Sequence, residues 1–94
     1  MINRLLFIKN GCPHCSKVKS VVPDINIKLS PEKRIRIINI TAEDYNANMH
    51  PVAKLVNFEN TPFLYLDGIC VEGMTSEYYA KDYITKHLKM KGEL

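Results

Sequence analysis

The chain has 94 residues, of which 46% are apolar and 24% are charged, and its net charge is +3. That length supports one hydrophobic core and not two, so we expect a single domain over residues 1–94. The small charge does not favour nucleic-acid binding, and no stretch approaches the roughly 20 apolar residues of a membrane span. Because three cysteines cannot all pair and the first residues lack a secretory pattern, we expect a cytoplasmic protein.

The first half of the chain alternates strand and helix patterns. Residues 4–8 form an almost continuous apolar run, which is typical of a strand buried on both faces. A helix is predicted to begin at Pro13, because proline suits the first helical position and a stripe of valines follows it. Pro23 is predicted to end or kink that helix. The β-branched residues 34–40 then predict a second strand.

The second half predicts a helix, a hairpin and a last helix. Residues 51–58 carry apolar side chains at helical spacing, and residues 63–71 read as two strands around an Asp-Gly turn. Thr75 or Ser76 can cap the last helix, with Tyr79 among its inward-facing residues. The resulting order, β-α-β-α-β-β-α, predicts an α/β protein with a four-stranded mixed sheet and helices on both faces.

Two cysteines three positions apart, Cys12 and Cys15, lie where the first strand pattern gives way to the first helix pattern. The pair can close a small disulfide ring and reopen it. The first thiol would lie at a helix N-terminus, where unpaired N–H groups favour its thiolate. This layout is typical of a thiol–disulfide redox centre. The same spacing is also the commonest one for zinc ligands, so half of a zinc site stays open as the alternative.

Three lysines, Lys9, Lys17 and Lys19, bracket the cysteine pair, and the first acidic residue after it is Asp24. A positive rim would favour a thiolate and anionic partners. Lys17 and Lys19 would equally be expected if they simply lie on a solvent-exposed helix face. Both interpretations stay open.

Three segments of the chain resemble a glutaredoxin, a family within the thioredoxin-fold superfamily. Residues 7–15 match the family's strand, lysine and Cys-Pro-x-Cys, with His14 in place of the usual tyrosine. Thr61-Pro62, directly before a strand, matches the cis-proline loop, and residues 71–76 match the turn into the last helix. The resemblance implies that the predicted β-α-β-α-β-β-α order folds as a thioredoxin-like domain of the glutaredoxin type.

The chemistry that the resemblance implies is disulfide reduction at the cysteine pair. Cys12 would be the exposed nucleophile, whose thiolate attacks a substrate disulfide, and Cys15, one turn into the helix, would resolve the mixed disulfide. Pro13, His14 and Lys9 are the candidates for tuning the thiolate and the redox potential. The substrates would be protein disulfides or mixed disulfides with glutathione.

Glutathione is the implied co-substrate, with no tightly bound cofactor. Lys9 would bind a glutathione carboxylate, and a cis peptide before Pro62 would leave the backbone of Thr61 free to pair with an extended substrate. Backbone N–H groups at the start of the last helix would receive the other end of the tripeptide. The positions that match substrate- or glutathione-binding residues of the family are Lys9, Thr61, Pro62, Gly73, Met74 and Thr75.

The implied partners are disulfide-containing proteins, with ribonucleotide reductase as one candidate, and either glutathione or a thioredoxin-reductase-type reductant. We expect a monomer that binds neither nucleic acid nor membranes and holds no metal ion. The alternative is a metal-binding module, with zinc on Cys12, Cys15 and two further ligands, or an iron–sulfur cluster bridged between two chains. The further ligands would come from Cys70, His50 and His87. Outside that alternative, we expect Cys70 to be buried and His87 to lie on the surface.

Overall fold

The computed structural model describes residues 4–50 and 52–94 of the chain. They form an α/β fold with one four-stranded sheet and two α-helices. The elements in chain order are β1 (Arg4–Ile8), α1 (Pro13–Asn26), β2 (Arg36–Asn39), β3 (Phe63–Leu66), β4 (Ile69–Glu72) and α2 (Glu77–Met90). Neither helix in this part of the chain is long and apolar enough to cross a lipid bilayer.

The sheet is mixed, as predicted, with the strand order β2-β1-β3-β4. β1 runs parallel to β2 and antiparallel to β3, and β3 and β4 form the predicted hairpin. All five residues of β1 are buried. Its central position explains why its sequence is a continuous apolar run, since both of its faces are covered.

Both α-helices pack on the same face of the sheet, so the prediction of helices on both faces is wrong. Leu6 and Ile8 of β1 belong to the apolar cluster that includes the buried residues of α1 and α2. Leu5 and Phe7 point the other way, toward an irregular segment, described over residues 40–50 and 52–56, that contains the short 3₁₀ turns Ala47–Met49 and Ala53–Leu55. The face of the sheet opposite the two α-helices is therefore covered by irregular chain and not by an α-helix.

The predicted helix over residues 51–58 is absent from its described part, residues 52–58; residue 51 lies outside the described residues. Val52 adopts a left-handed backbone (φ 56°), whereas every residue of a right-handed helix has a negative φ. Beyond the single 3₁₀ turn, the side chain of Asn60 accepts from the N–H of Asn57 (2.8 Å) and donates to the carbonyl of Leu55 (3.1 Å). Side-chain hydrogen bonds of this kind replace those that would continue a helix.

Helix α1 begins at Pro13 as predicted and runs to Asn26, so Pro23 does not end it, and the alternative of a kink at Pro23 stays a prediction. Val21, Val22 and Ile25 are buried around the proline. Their packing on the sheet outweighs the loss of the one N–H that proline removes. The helix ends where the Asn26 side chain pairs with the backbone before β2.

That pairing leads to a stability prediction. Asn26 Nδ2 donates to the carbonyl of Ile35 (2.9 Å), and Asn26 Oδ1 accepts from the N–H of Ile35 (2.8 Å). We expect Asn26→Ala to lower the free energy of unfolding by about 1–2 kcal/mol, because it leaves two part-buried backbone groups of Ile35 without partners. Urea denaturation measures the change. Asn48→Ala, at an exposed site, is the control and should change it by less than about 0.5 kcal/mol; equal effects at both sites would contradict the assignment.

For the hairpin and the last helix, two predictions are confirmed and one is wrong. Asp67 (φ 50°) and Gly68 (φ 95°) both adopt left-handed conformations, as a two-residue hairpin turn requires. Ser76 caps α2 by accepting from the N–H of Tyr79 at 3.3 Å. Tyr79 itself is exposed rather than inward-facing, and the buried face of α2 is made by Ala80, Ile84 and Leu88.

Cys70 and His87 lie in environments opposite to those predicted. Cys70 is an exposed free thiol, because β4 is an edge strand that the irregular segment does not cover. His87 is largely buried, and its Nε2 lies 2.8 Å from Oδ2 of Asp67 in the hairpin turn.

A buried charge cluster closes the end of the sheet opposite the cysteines. Arg4, only 5% exposed, donates two hydrogen bonds to the Glu93 carboxylate (2.6 and 2.7 Å) and one to Asp67 (3.1 Å). The hydrogen bonds from Arg4 hold the pKa of Glu93 below its ordinary value. Burial raises the pKa of Asp67, but hydrogen bonds from His87 and Arg4 outweigh it, so that this pKa is also lowered. The cluster ties β1, the hairpin turn and the end of α2 together.

Candidate functional site

The cysteine pair lies between the end of the central strand β1 and the start of α1. Its two sulfurs are joined in a disulfide, and the two Cα atoms are 5.2 Å apart. Cys12 is the N-cap of α1, and its Sγ accepts from the N–H of Cys15 at 3.2 Å. The first sulfur is thus held at the helix N-terminus, where backbone N–H groups without helical partners stabilise negative charge.

The two cysteines differ in exposure. Cys12 retains 9% of its surface and Cys15 retains 2%. Cys12 is therefore the more accessible sulfur, as the resemblance implies, although it is much less exposed than expected. Pro13 and His14, the two residues between them, are both exposed.

Lys9 connects the cysteine loop to the loop before β3. Its side chain is half-buried, and its ammonium donates to the backbone carbonyl of Phe58. An ammonium has three N–H donors, so two remain for a ligand. The implied contact of Lys9 with a carboxylate would therefore share this group with the protein's own backbone.

Thr61 and Pro62 lie at the same end of the sheet as the cysteines. The peptide bond between them is cis, as the resemblance implies. Phe63 pairs with Phe7 near the carboxyl end of β1, which puts the preceding residues beside the start of the cysteine loop. Both Thr61 and Pro62 are buried.

The turn before α2 meets this loop. The N–H of Gly73 donates to the carbonyl of Pro62 at 2.9 Å, so this donor is already used within the protein, and a role of Gly73 in glutathione binding stays a prediction. Met74 is buried in the same apolar cluster as Cys12 and Cys15. Thr75 is exposed. The structure thus brings Met74 to the site as a packing partner and Gly73 as a hydrogen-bond partner of the cis-proline loop.

A second group of polar residues borders the cysteines on the β2 side, and the sequence analysis missed most of it. Asn39, the last residue of β2, donates from Nδ2 to Oδ1 of Asn10 (2.9 Å), and the N–H of Asn10 donates to Oγ1 of Thr41 (3.0 Å). The positions of these residues in the sequence could have indicated the site. Polar residues that follow two parallel strands meet at the carboxyl edge of the sheet, where α/β proteins bind ligands.

These residues border a cavity of about 440 Å³. Its lining contains Lys9 and Lys19 and no carboxylate, so it is cationic. The lining residues are Ile8, Lys9, Asn10, Gly11, Cys12, Pro13, Cys15, Ser16, Lys19 and Asn39. We call this cavity the β2-side groove.

The proposed zinc ligands are not brought together. Within residues 4–50 and 52–94, no group of three or more His, Cys, Asp or Glu side chains is arranged to hold an ion. His87 pairs with Asp67, and His50 stacks on Tyr45 with the ring centroids 6.5 Å apart. Cys70 lies alone on the edge strand β4.

Comparison with known proteins adds no identification. No protein-family model matches the sequence, and no curated protein is significantly similar to it. The function must therefore be inferred from the fold and from the chemistry of the cysteine site.

Proposed function

We propose that this protein is a thiol–disulfide oxidoreductase of the glutaredoxin type, with a thioredoxin-like fold. One observation carries the proposal: Cys12 and Cys15 join in a disulfide at the N-terminus of α1, with the first cysteine more accessible than the second. A pair in this position can alternate between dithiol and disulfide without a change of fold.

The topology supports the fold assignment. A parallel β1-α1-β2 unit is followed by the antiparallel hairpin β3-β4 and then by α2, with β1 and β3 at the centre of the sheet. This order matches the one that the resemblance implies, apart from the irregular segment that replaces the helix before β3. That segment still covers the second face of the sheet, so the buried centre that supports the cysteine loop is retained.

The proposed reaction begins with the reduced pair. The Cys12 thiolate attacks one sulfur of the substrate disulfide; a bond forms between these sulfurs, the substrate S–S bond breaks, and the leaving thiolate takes up a proton. The Cys15 thiolate then attacks the Cys12 sulfur and releases the second substrate thiol. The substrate gains two electrons and the pair becomes the disulfide. Two glutathione molecules return it to the dithiol and form glutathione disulfide.

The position of Cys12 favours attack by this sulfur. Only a thiolate is an effective nucleophile, and a helix N-terminus stabilises an anion by about 0.3–1 kcal/mol. The N–H of Cys15, which contacts the Cys12 sulfur, supplies part of this stabilisation directly. Cys15 is almost fully buried, so an incoming substrate reaches Cys12 first.

The proposed setting follows from the same chemistry. Glutathione is the co-substrate, protein disulfides and glutathione mixed disulfides are the substrates, and ribonucleotide reductase remains one candidate recipient. A cytoplasmic monomer fits a dithiol that must be re-reduced after every turnover, since the cytosol keeps thiols reduced. No organic cofactor takes part in these steps.

The direct test is a coupled assay. Reduction of hydroxyethyl disulfide is followed through NADPH consumption, once with glutathione and glutathione reductase and once with thioredoxin reductase. We expect turnover above the protein-free rate in the glutathione system. Cys15→Ser should retain reduction of glutathione mixed disulfides and lose reduction of protein disulfides, which requires both thiols.

The matched control is Cys70→Ser, which removes an exposed thiol on the edge strand β4, separated from β1 by β3, and should leave both rates unchanged. A wild-type rate equal to the protein-free rate in both systems would overturn the proposal. Stoichiometric zinc or iron in protein purified without oxidant would instead favour the metal-binding module.

A further inference from the structure

The β2-side groove lies on the opposite side of Cys12 from Thr61 and Pro62. It is bounded by the end of β1, the first two turns of α1 and the last residue of β2. Strand β3, which carries the cis-proline loop, is on the other side of β1. A substrate that is attacked at Cys12 can therefore contact the protein on two sides, and in the groove the implied glutathione contact involves Lys9 but neither Lys19 nor Asn39.

The groove holds the positive charges of two lysines, and Lys19 is the one on α1. The other lysine in its lining, Lys9, already donates to the Phe58 carbonyl. None of the ion pairs formed within residues 4–50 and 52–94 includes Lys19, which is exposed on α1. With no carboxylate in the lining, the groove attracts an anion and repels a second cation.

Asn39 supplies a hydrogen-bond donor in a fixed orientation. Its Oδ1 accepts from the N–H of Thr41 (2.9 Å) and from the Thr41 hydroxyl, so the NH₂ group is turned toward Asn10. An amide NH₂ has two N–H donors, and Asn10 accepts only one. The second remains for a ligand in the groove that Asn39 lines.

We propose that the β2-side groove binds a carboxylate that flanks the reacting disulfide of the substrate, with Lys19 as its ionic partner and Asn39 as a hydrogen-bond donor. This inference rests on the proposed function for its substrate and names a selectivity for that substrate: disulfides with a neighbouring acidic group. The bond-making steps are unchanged, because the groove affects only binding and orientation. The carboxylate comes either from an Asp or Glu beside a protein cysteine or from a small carboxylated disulfide.

The first test compares disulfides that differ only in that carboxylate. One pair consists of peptide disulfides with Glu or Gln beside the cysteine, and the other of dithiodiglycolate and its bis-amide. We expect kcat/KM to be up to about fivefold higher for the acidic member, as an exposed ion pair allows, and the preference to shrink at high salt. Preference in both pairs supports recognition of any such carboxylate, and preference in the peptide pair alone supports a protein source.

The variants are Lys19→Gln and the matched control Lys17→Gln. Both lysines are exposed on α1, but only Lys19 lines the groove. Lys19→Gln should lower the preference at least about twofold while the neutral substrates keep their rates, and Lys17→Gln should leave the preference intact. If the wild type reduces acidic and neutral disulfides equally well, the inference is overturned and the proposed function stands.

The second test does not depend on turnover. In protein carrying Cys15→Ser and Cys70→Ser, the Cys12 thiolate displaces iodide from iodoacetate, which is anionic, or from iodoacetamide, which is neutral. We expect Lys19→Gln to lower the ratio of the iodoacetate rate to the iodoacetamide rate about two- to fivefold, and we expect Lys17→Gln to leave this ratio unchanged. Equal ratios in all three proteins would overturn the inference, even if the proposed function had already failed.

Discussion

Replacing Cys12 with serine is expected to lower the rate of disulfide reduction at least about 100-fold, to the protein-free rate, because a serine hydroxyl is not ionised at neutral pH and cannot replace a thiolate. Cys15→Ser should instead accumulate a mixed disulfide at Cys12, visible as a mass increase equal to the bound thiol. The coupled assay and intact-protein mass spectrometry measure the two effects. They separate the nucleophile from the resolving cysteine.

Cys70→Ser is the control for this prediction as well. Cys70 is an exposed free thiol, but it lies on the edge strand β4 and lacks the helix N-terminus that holds Cys12. If Cys12→Ser retained activity that Cys70→Ser abolished, exposure alone would govern the reaction. The proposed role of α1 would then be wrong.

Replacing Arg4 with methionine is expected to lower the free energy of unfolding by about 3 kcal/mol at pH 7, because it leaves the part-buried carboxylates of Glu93 and Asp67 without their arginine partner. A loss of this size is a large share of the stability of a small domain and should lower Tm by more than about 10 °C. Urea and thermal denaturation measure both quantities. Lys86→Met removes an exposed pair with Asp82 and should change stability by less than about 1 kcal/mol.

The charge cluster also sets the acid response. The pKa values of Glu93 and Asp67 lie below their ordinary values of 4.5 and 3.8, so both carboxylates contribute stability that is fully present above those values. That stability is lost as the pH falls through the lower, folded pKa values. Wild-type stability should therefore decline below about pH 4.5, and in Arg4→Met this part of the decline should be smaller. Parallel declines in the two proteins would contradict the role of Arg4.

Sequence patterns predicted correctly those elements whose conformation depends mainly on their own residues. Pro13 marks the first turn of α1, and Asp67-Gly68 fixes the hairpin because both residues must adopt left-handed conformations. The continuous apolar run at residues 4–8 indicated a strand covered on both faces, and β1 has that position. The predicted start of α1 also predicted where the cysteine pair lies, and this pair is the most specific part of the site.

The errors arose where tertiary packing or strand order decides the outcome. Residues 52–58 have helical spacing, but asparagine side chains satisfy their backbone groups and Leu55 stays 62% exposed. The exposure of Cys70 depends on β4 being an edge strand, which no local pattern reveals. Asn39 reaches the site only because β2 pairs with β1 in parallel, so that its last residue meets the cysteine loop.

Because Cys70 takes no part in the disulfide, the number of free thiols per chain reports whether the protein is oxidised or reduced. When Cys12 and Cys15 are joined, Cys70 is the remaining free thiol. A bulky maleimide added after acid quenching and unfolding would attach once to the oxidised chain and three times to the reduced one, because the sequence contains three cysteines. The two forms would separate as gel bands, and living cells could be sampled in this way to follow which form predominates.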